Sequence, residues 1–163
     1  SGYPEEGRSA IEALLDTLQR VRALPLSSDP LLGPGTLNVG TIQGGVAPNV
    51  LAPDARAQVL FRTVGPTGAL KEQLRQCCAP GVRCTVGVEI PAYKGSAPAG
   101  WDTTVVSYAS DLPFLEGWGR RLQLGPGTIR VAHTDQERIR KDDLHRGVEL
   151  YVRLASDLLA GEA

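Results

Sequence analysis

Residues 91–100 (PAYKGSAPAG) constrain this chain more than any other stretch. Proline removes backbone donors and glycine adds conformational freedom, so neither a helix nor a strand runs through such a segment. What lies before it and what lies after it must therefore fold as separate pieces. The patterning differs on the two sides, and the chain divides into residues 1–92, a linker at 93–103 and residues 104–163. At 163 residues the length permits one domain, or one domain plus part of another.

On the first side the grammar is clear. Ser9 and Glu12 have the spacing of a capping box. Ile11, Leu14, Leu15, Leu18 and Val21 then form one apolar stripe at helical spacing, and Pro25 ends it. Residues 25–35 read as a loop. Leu37 and Val39 alternate as in a strand, but Ile42 falls out of phase after Gly40, the mark of a bulge. Gly44 and Gly45 open a loop ending at Pro48 and Asn49. Ala57, Val59 and Phe61 make one face of a second strand, with Arg56, Gln58 and Arg62 on the other. Leu70, Leu74 and either Cys77 or Cys78 predict a short helix stopped by Pro80 and Gly81. Val82, Cys84, Val86, Val88 and Ile90 alternate strictly and predict a strand over 82–90. Residues 9–90 thus read α-β-β-α-β, an α+β arrangement. It is a ferredoxin-like split βαβ unit, an antiparallel sheet with two helices on one face, whose first strand would precede Ser1.

Beyond the linker, residues 104–108 and 121–124 predict short strands, and residues 111–117 one or two helical turns. Asp142 or Asp143 is placed to cap a last helix with the stripe Leu144, Val148, Tyr151, Val152, Ala155, Leu158 and Leu159, stopped at Gly161. Two strands and one helix are too little for an independent domain. Residues 104–163 therefore read as the C-terminal segment of a domain whose larger part lies elsewhere.

Composition narrows the function. The net charge of −1 argues against a nucleic-acid binder, which needs a basic face to displace counterions. No apolar run approaches the roughly 18 residues of a membrane span. With 42% hydrophobic residues, there is material for a core. Methionine is absent and the chain opens on Ser1, which leads to the expectation of upstream sequence. The three cysteines, Cys77, Cys78 and Cys84, are odd in number, with no secretory pattern. Reduced thiols in the cytoplasm are expected. Without C-x-x-C spacing a thiolate zinc site is not expected.

Of the two histidines, His145 sits on the polar side of the last helix. His133 follows a Gly-Pro-Gly turn and reads either as a metal ligand or acid/base group, or as a loop histidine bonded to backbone. No second histidine, H-E-x-x-H or carboxylate cluster stands near it, and a catalytic zinc needs about three protein ligands. No G-x-S-x-G elbow is present. Arg62 reads from composition alone as a solvated strand residue. The pentapeptide Leu-Gly-Pro-Gly-Thr occurs at 32–36 and at 124–128, in surroundings different enough to be coincident turn chemistry.

Several segments in order resemble one family. Residues 1–11 (SGYPEEGRSAI), 36–50 (TLNVGTIQGGVAPNV) and 54–62 (DARAQVLFR) are similar to the lid of the acetylornithine deacetylase, succinyl-diaminopimelate desuccinylase and carboxypeptidase G family. Residues 105–114 (VVSYASDLPF), 124–128 (LGPGT) and 132–137 (AHTDQE) resemble its C-terminal catalytic segments, in the acetylornithine deacetylase style. The family consists of dizinc hydrolases that cut an amide bond beside a carboxylate. The resemblance implies that His133 is a metal ligand and that Gly125, Pro126 and Gly127 form a substrate loop beside the metals. It implies that Asn49 and Arg62 are lid residues binding substrate, Arg62 through both carboxylate oxygens. It implies two zinc or cobalt ions in the whole enzyme, a small N-acyl amino acid or peptide substrate, a glutamate base acting on a metal-bound water and a homodimer formed through the lid.

Most of the family's metal ligands, its glutamate base and its lid histidine have no counterpart in these residues, and the linker is about ten residues short of the family's helix. The expectation is a chain inactive on its own, without tightly bound metal and without catalytic residues of its own. Two alternatives stand beside it: a non-catalytic dimerisation module and a ligand-binding regulatory module of ferredoxin-like shape.

Overall fold

The computed structural model describes residues 7–161. The part of the lid resemblance that falls on residues 1–6 lies outside them. The chain is mixed α+β and separates into two compact units, one up to Ala92 and the other from Tyr93.

In the first unit, helix α1 spans Ala10–Arg22. Ser9 caps it from an extended backbone conformation, its hydroxyl accepting the Glu12 N–H at 3.4 Å. The helix closes ahead of Pro25 by tightened bonds, Ala23 N–H to Arg20 O and Leu24 N–H to Val21 O. Its buried face is Leu14, Thr17, Leu18 and Val21. Leu15, expected in the stripe, is 48% exposed. It stands about 100° round the helix from Leu14, and Thr17 takes the inner position instead.

The loop after α1 contains a miniature ribbon that periodicity does not reveal, β1 (Ser28–Asp29) against β2 (Gly33–Pro34). The Asp29 carboxylate accepts the N–H groups of Leu31 and Leu32, both at 2.9 Å, and so holds the turn. Strands β3 (Thr36–Gly44) and β4 (Ala55–Arg62) form an antiparallel hairpin. Its register passes from Val39 opposite Val59 to Thr41 opposite Gln58, so the bulge anticipated at Gly40 is present. Ala57, Val59 and Phe61 are half-buried, and Arg56, Gln58 and Leu60 are exposed. α1 packs against both strands and against α2 (Gly68–Cys77). Of the two candidate cysteines, Cys77 is the buried one.

A buried hydroxyl joins the two helices. Thr17 Oγ1 donates to Ala13 O at 2.9 Å and accepts the Ala79 N–H at 3.0 Å, just past the end of α2.

Residues 82–90 are not a strand. The alternation is real, but a strand exists only with a ladder partner, and the split βαβ pattern pairs this one with a first strand that is not among the described residues. Val88 is consequently 92% exposed. The segment is held by its polar face, where Glu89 accepts from Thr67 and pairs with Lys71 on α2.

In the second unit the strands expected at 104–108 and 121–124 are also absent. Side chains join these segments instead of a ladder: Gln123 donates to the Tyr108 hydroxyl, and Arg121 donates to the carbonyls of Leu112 and Pro113. The helical turns expected over 111–117 reduce to one 3-10 turn, Leu112–Phe114. Helix α3 spans Lys141–Leu159. Its N-cap is Arg140, and Asp142 and Asp143 stand inside the first turn, where the helix dipole favours their charge. Gly161 follows its end at φ +72°. Most of its apolar stripe is exposed, Val148 and Val152 included. The expected linker does not hang free. Trp101 donates its indole N–H to Asp157 at 2.7 Å, and Arg153 lies over the indole ring while donating to Gly100 O at 3.0 Å.

Thr17→Val keeps the shape but leaves the buried Ala79 N–H without its acceptor, so a loss of about 1–3 kcal/mol is expected, readable by urea denaturation. Hydrogen bonds from Lys71 and Thr67 lower the Glu89 pKa. A depressed carboxylate pKa means that the tie is intact at neutral pH and released as pH falls below the ordinary value of about 4.3. An NMR titration of the Glu89 carboxyl carbon should show its midpoint below that value.

Candidate functional site

The first unit places Arg62 at the last position of β4, opposite Thr36. Its guanidinium donates to Pro34 O at 3.1 Å and to Leu32 O at 3.2 Å, the carbonyls of the miniature ribbon. Gly35 lets the ribbon lie close to the Arg62 backbone, since a Cβ there would stand 2.9 Å from the Arg62 carbonyl oxygen. Arg62 is thus neither a merely solvated strand residue nor a wholly open cation. Two of its five N–H groups hold backbone, and the side chain lines a cleft of about 320 Å³ with Leu26, Pro66, Leu70 and Gln73 among its other walls.

Asn49 lies at the opposite end of the same hairpin, in the turn closed by Val50 N–H to Ala47 O. The ladder of eight pairs begins with Arg62 and ends at its loop, so about 20 Å or more separates the two at strand rise. That loop meets the start of α1, where Ala10 N–H donates to Ala52 O, whereas Arg62 sits beside the segment that follows α1. The two lid residues that the resemblance groups as substrate contacts are therefore not brought together within this unit.

In the second unit the Gly125, Pro126 and Gly127 loop rests on α3. Pro126 packs on Gly147, the buried residue of that helix, so closely that a Cβ at Gly147 would lie 2.9 Å from Pro126 Cβ. Tyr151 anchors the loop from one turn further along, its hydroxyl donating to Leu124 O at 2.6 Å. Gly127 turns the chain at φ +76°, whereas in the other Leu-Gly-Pro-Gly-Thr copy the positive φ falls on Gly33. The two copies fold differently, as their surroundings suggested.

The loop feeds a single 3-10 turn, Ile129–Val131, capped by the Thr128 hydroxyl, and then His133. Among the described residues His133 is the one non-glycine residue with positive φ, at +60°. Such backbone costs on the order of 1–3 kcal/mol and persists where neighbouring contacts over-determine it. Here the His133 N–H donates to a Glu137 carboxylate oxygen at 3.0 Å, and Thr134 donates to Val131 O at 2.7 Å. The backbone bond accounts for the main chain of His133, while its residue surface remains exposed.

No group of three or more metal-binding side chains occurs among the described residues. Against the three or so protein donors of a catalytic zinc, His133 is one. These residues therefore do not fit a complete metal centre.

Residues 1–78 match the family described as a peptidase dimerisation domain. The chain is 37% identical over 162 residues to a peptidase M20 domain-containing protein of Schizosaccharomyces pombe, covering 94% of this chain and 39% of the relative. It is 36% identical over 182 residues to a protein of Aspergillus flavus named a probable carboxypeptidase, covering 94% of this chain and 42% of the relative. A Sordaria macrospora peptidase M20 domain-containing protein is 33% identical, with 98% of this chain and 37% of the relative covered. No solved structure matches. The chain is thus similar to M20 peptidases over most of its length, and residues 1–78 match their dimerisation domain. It spans about two-fifths of the length of these curated relatives.

Periodicity marks neither Thr17 nor Trp101, and it places Tyr151 in the apolar stripe of α3 without showing that its hydroxyl holds Leu124 O.

Alanine at a mid-helix glycine ordinarily stabilises by roughly 0.5–1 kcal/mol. Gly147→Ala should instead raise hydrogen exchange over residues 124–128, because Pro126 must lift away. His133→Gly should leave the thermal midpoint unchanged or raised, while His133→Ala should not raise it.

Proposed function

We propose that this chain is the lid and C-terminal catalytic segment of a metal-dependent hydrolase that cuts an amide beside a free carboxylate. The substrate is an N-acyl amino acid or the C-terminal residue of a short peptide. The observation that carries this reading is similarity along 94% of the chain to proteins named as M20 peptidases or probable carboxypeptidases. In it, His133 supplies one ligand to a pair of zinc or cobalt ions, and the remaining ligands and the base belong to the part of the whole protein that corresponds to the rest of those relatives. The Gly125, Pro126 and Gly127 loop, seated on α3, lines the substrate path. Arg62 takes the substrate carboxylate through the N–H groups that it does not spend on Leu32 and Pro34, and Asn49, distant from it, contacts a different part of the site. The names of the relatives favour a peptide substrate; the resemblance of the C-terminal segments favours N-acetyl amino acids, acetylornithine among them.

The dimerisation domain supports a homodimer formed through the lid. The balanced charge supports a small substrate over nucleic acid. Among the described residues no helix is long and apolar enough to cross a membrane, and the three unbridged cysteines support a cytoplasmic setting. One observation favours the second reading, a dimerisation module without catalysis: the match to a dimerisation domain stands in a chain among whose described residues no group of three or more metal-binding side chains occurs.

Two measurements test the proposal. Sedimentation of the 163-residue chain at micromolar concentration should show a dimer, with no hydrolysis in added zinc. In the whole enzyme, replacing the substrate carboxylate by a carboxamide should lower kcat/KM roughly 10- to 150-fold, the equivalent of about 1.5–3 kcal/mol for a charge-assisted bond. The same substrate change should cost little further in an Arg62→Ala enzyme. Equal losses in both enzymes would remove Arg62 from the carboxylate site, and a dimeric but inactive whole protein would favour the second reading.

A further inference from the structure

The sequence after α2 doubles back on the helix. Cys78 is the C-cap of α2, in extended backbone, and the chain then turns at Pro80 and Gly81, with Gly81 at φ +87° and Val82 N–H donating to Ala79 O at 2.9 Å. At the other end of the returning segment, Glu89 is held by Thr67 and Lys71 at the start of α2. Residues 83–88 are therefore tied at both ends and run antiparallel to the helix, with Cys84 alongside its C-terminal end.

The three thiols divide by position. Cys77 is buried, Cys78 half-buried and Cys84 exposed. Adjacent Cys77 and Cys78 cannot bridge without strain. The Cys78 sulfur is close enough to Leu74 O to donate to it at 3.4 Å. Burial raises the Cys78 pKa, and so do the thiols of Cys84 and Cys77, while the Cys84 backbone acts in the opposite direction.

We propose that Cys78 and Cys84 are a dithiol pair that closes reversibly to an intrachain disulfide, oxidised by a small-molecule disulfide of the glutathione class. The exposed Cys84 thiolate attacks one sulfur of the oxidant and expels one glutathione thiolate, leaving a mixed disulfide on Cys84. The Cys78 thiolate then attacks the Cys84 sulfur and expels the second glutathione. Two protein thiols lose two electrons and two protons, and one glutathione disulfide becomes two glutathione molecules. The bond locks the start of the returning segment to the end of α2, as Glu89 already locks its other end.

The test uses the full chain with glutathione disulfide, followed by trypsin under non-reducing conditions. Cleavage after Arg75, Arg83 and Lys94 places Cys77 and Cys78 on one peptide (76–83) and Cys84 on the next (84–94). These two peptides should appear joined and separate on reduction. Cys77→Ser should retain the link; Cys78→Ser and Cys84→Ser should each abolish it. The folded chain should close at least about tenfold faster than the chain in urea, because the two ties hold the thiols at high effective concentration. A link through Cys77, a link between two chains, a glutathione adduct that never resolves, or equal rates folded and unfolded would each overturn the proposal.

Discussion

The first unit depends on one buried hydroxyl. Thr17 faces inward from α1 between Leu14, Leu18 and Val21, and it satisfies the Ala79 N–H across a sequence separation of 62 residues. Without it, the end of α2 would bring an unpaired donor against the buried face of α1. Seated there, α1 can cover the β3 and β4 hairpin on one side and hold α2 on the other. The position of Arg62 follows, because the miniature ribbon that receives its guanidinium lies between α1 and β3 in the chain.

The second unit relies on close approach more than on area. Gly147 lets Pro126 sit directly on α3, Tyr151 ties Leu124, and Trp101 is gripped by Arg153 and Asp157. These contacts deliver the chain to His133 in a left-handed conformation that histidine adopts more readily than most side chains. Much of the α3 apolar stripe remains exposed, Val148, Tyr151 and Val152 among it.

Legibility in the sequence followed the range of the forces involved. The start and end of α1, the bulge at Gly40, the inward face Ala57, Val59 and Phe61, and the stop of α2 at Pro80 and Gly81 all result from local sterics and periodicity, and all could be read. Residues 82–90 alternate more strictly than β3 or β4, yet they are not a strand, because the ladder needs a neighbour that no local pattern records. Among the candidate site residues, the motif spacing of Asn49 and Arg62 gave no hint that the hairpin holds them at opposite ends. The setting of His133, its positive φ and its bond to Glu137, lay equally outside what spacing shows.

The sequence by itself determined where helices begin and end, which strand face turns inward and where the chain must break, because each depends on a few neighbouring residues and their backbone preferences. Tertiary structure alone decided that Thr17 rather than Leu15 belongs to the core and that Arg62 spends part of its charge on backbone carbonyls. It also decided that residues 93–101 join the second unit and that Cys84 returns to the side of Cys78. Each of these depends on groups distant in the chain meeting within a few ångströms, and that distance is set by packing.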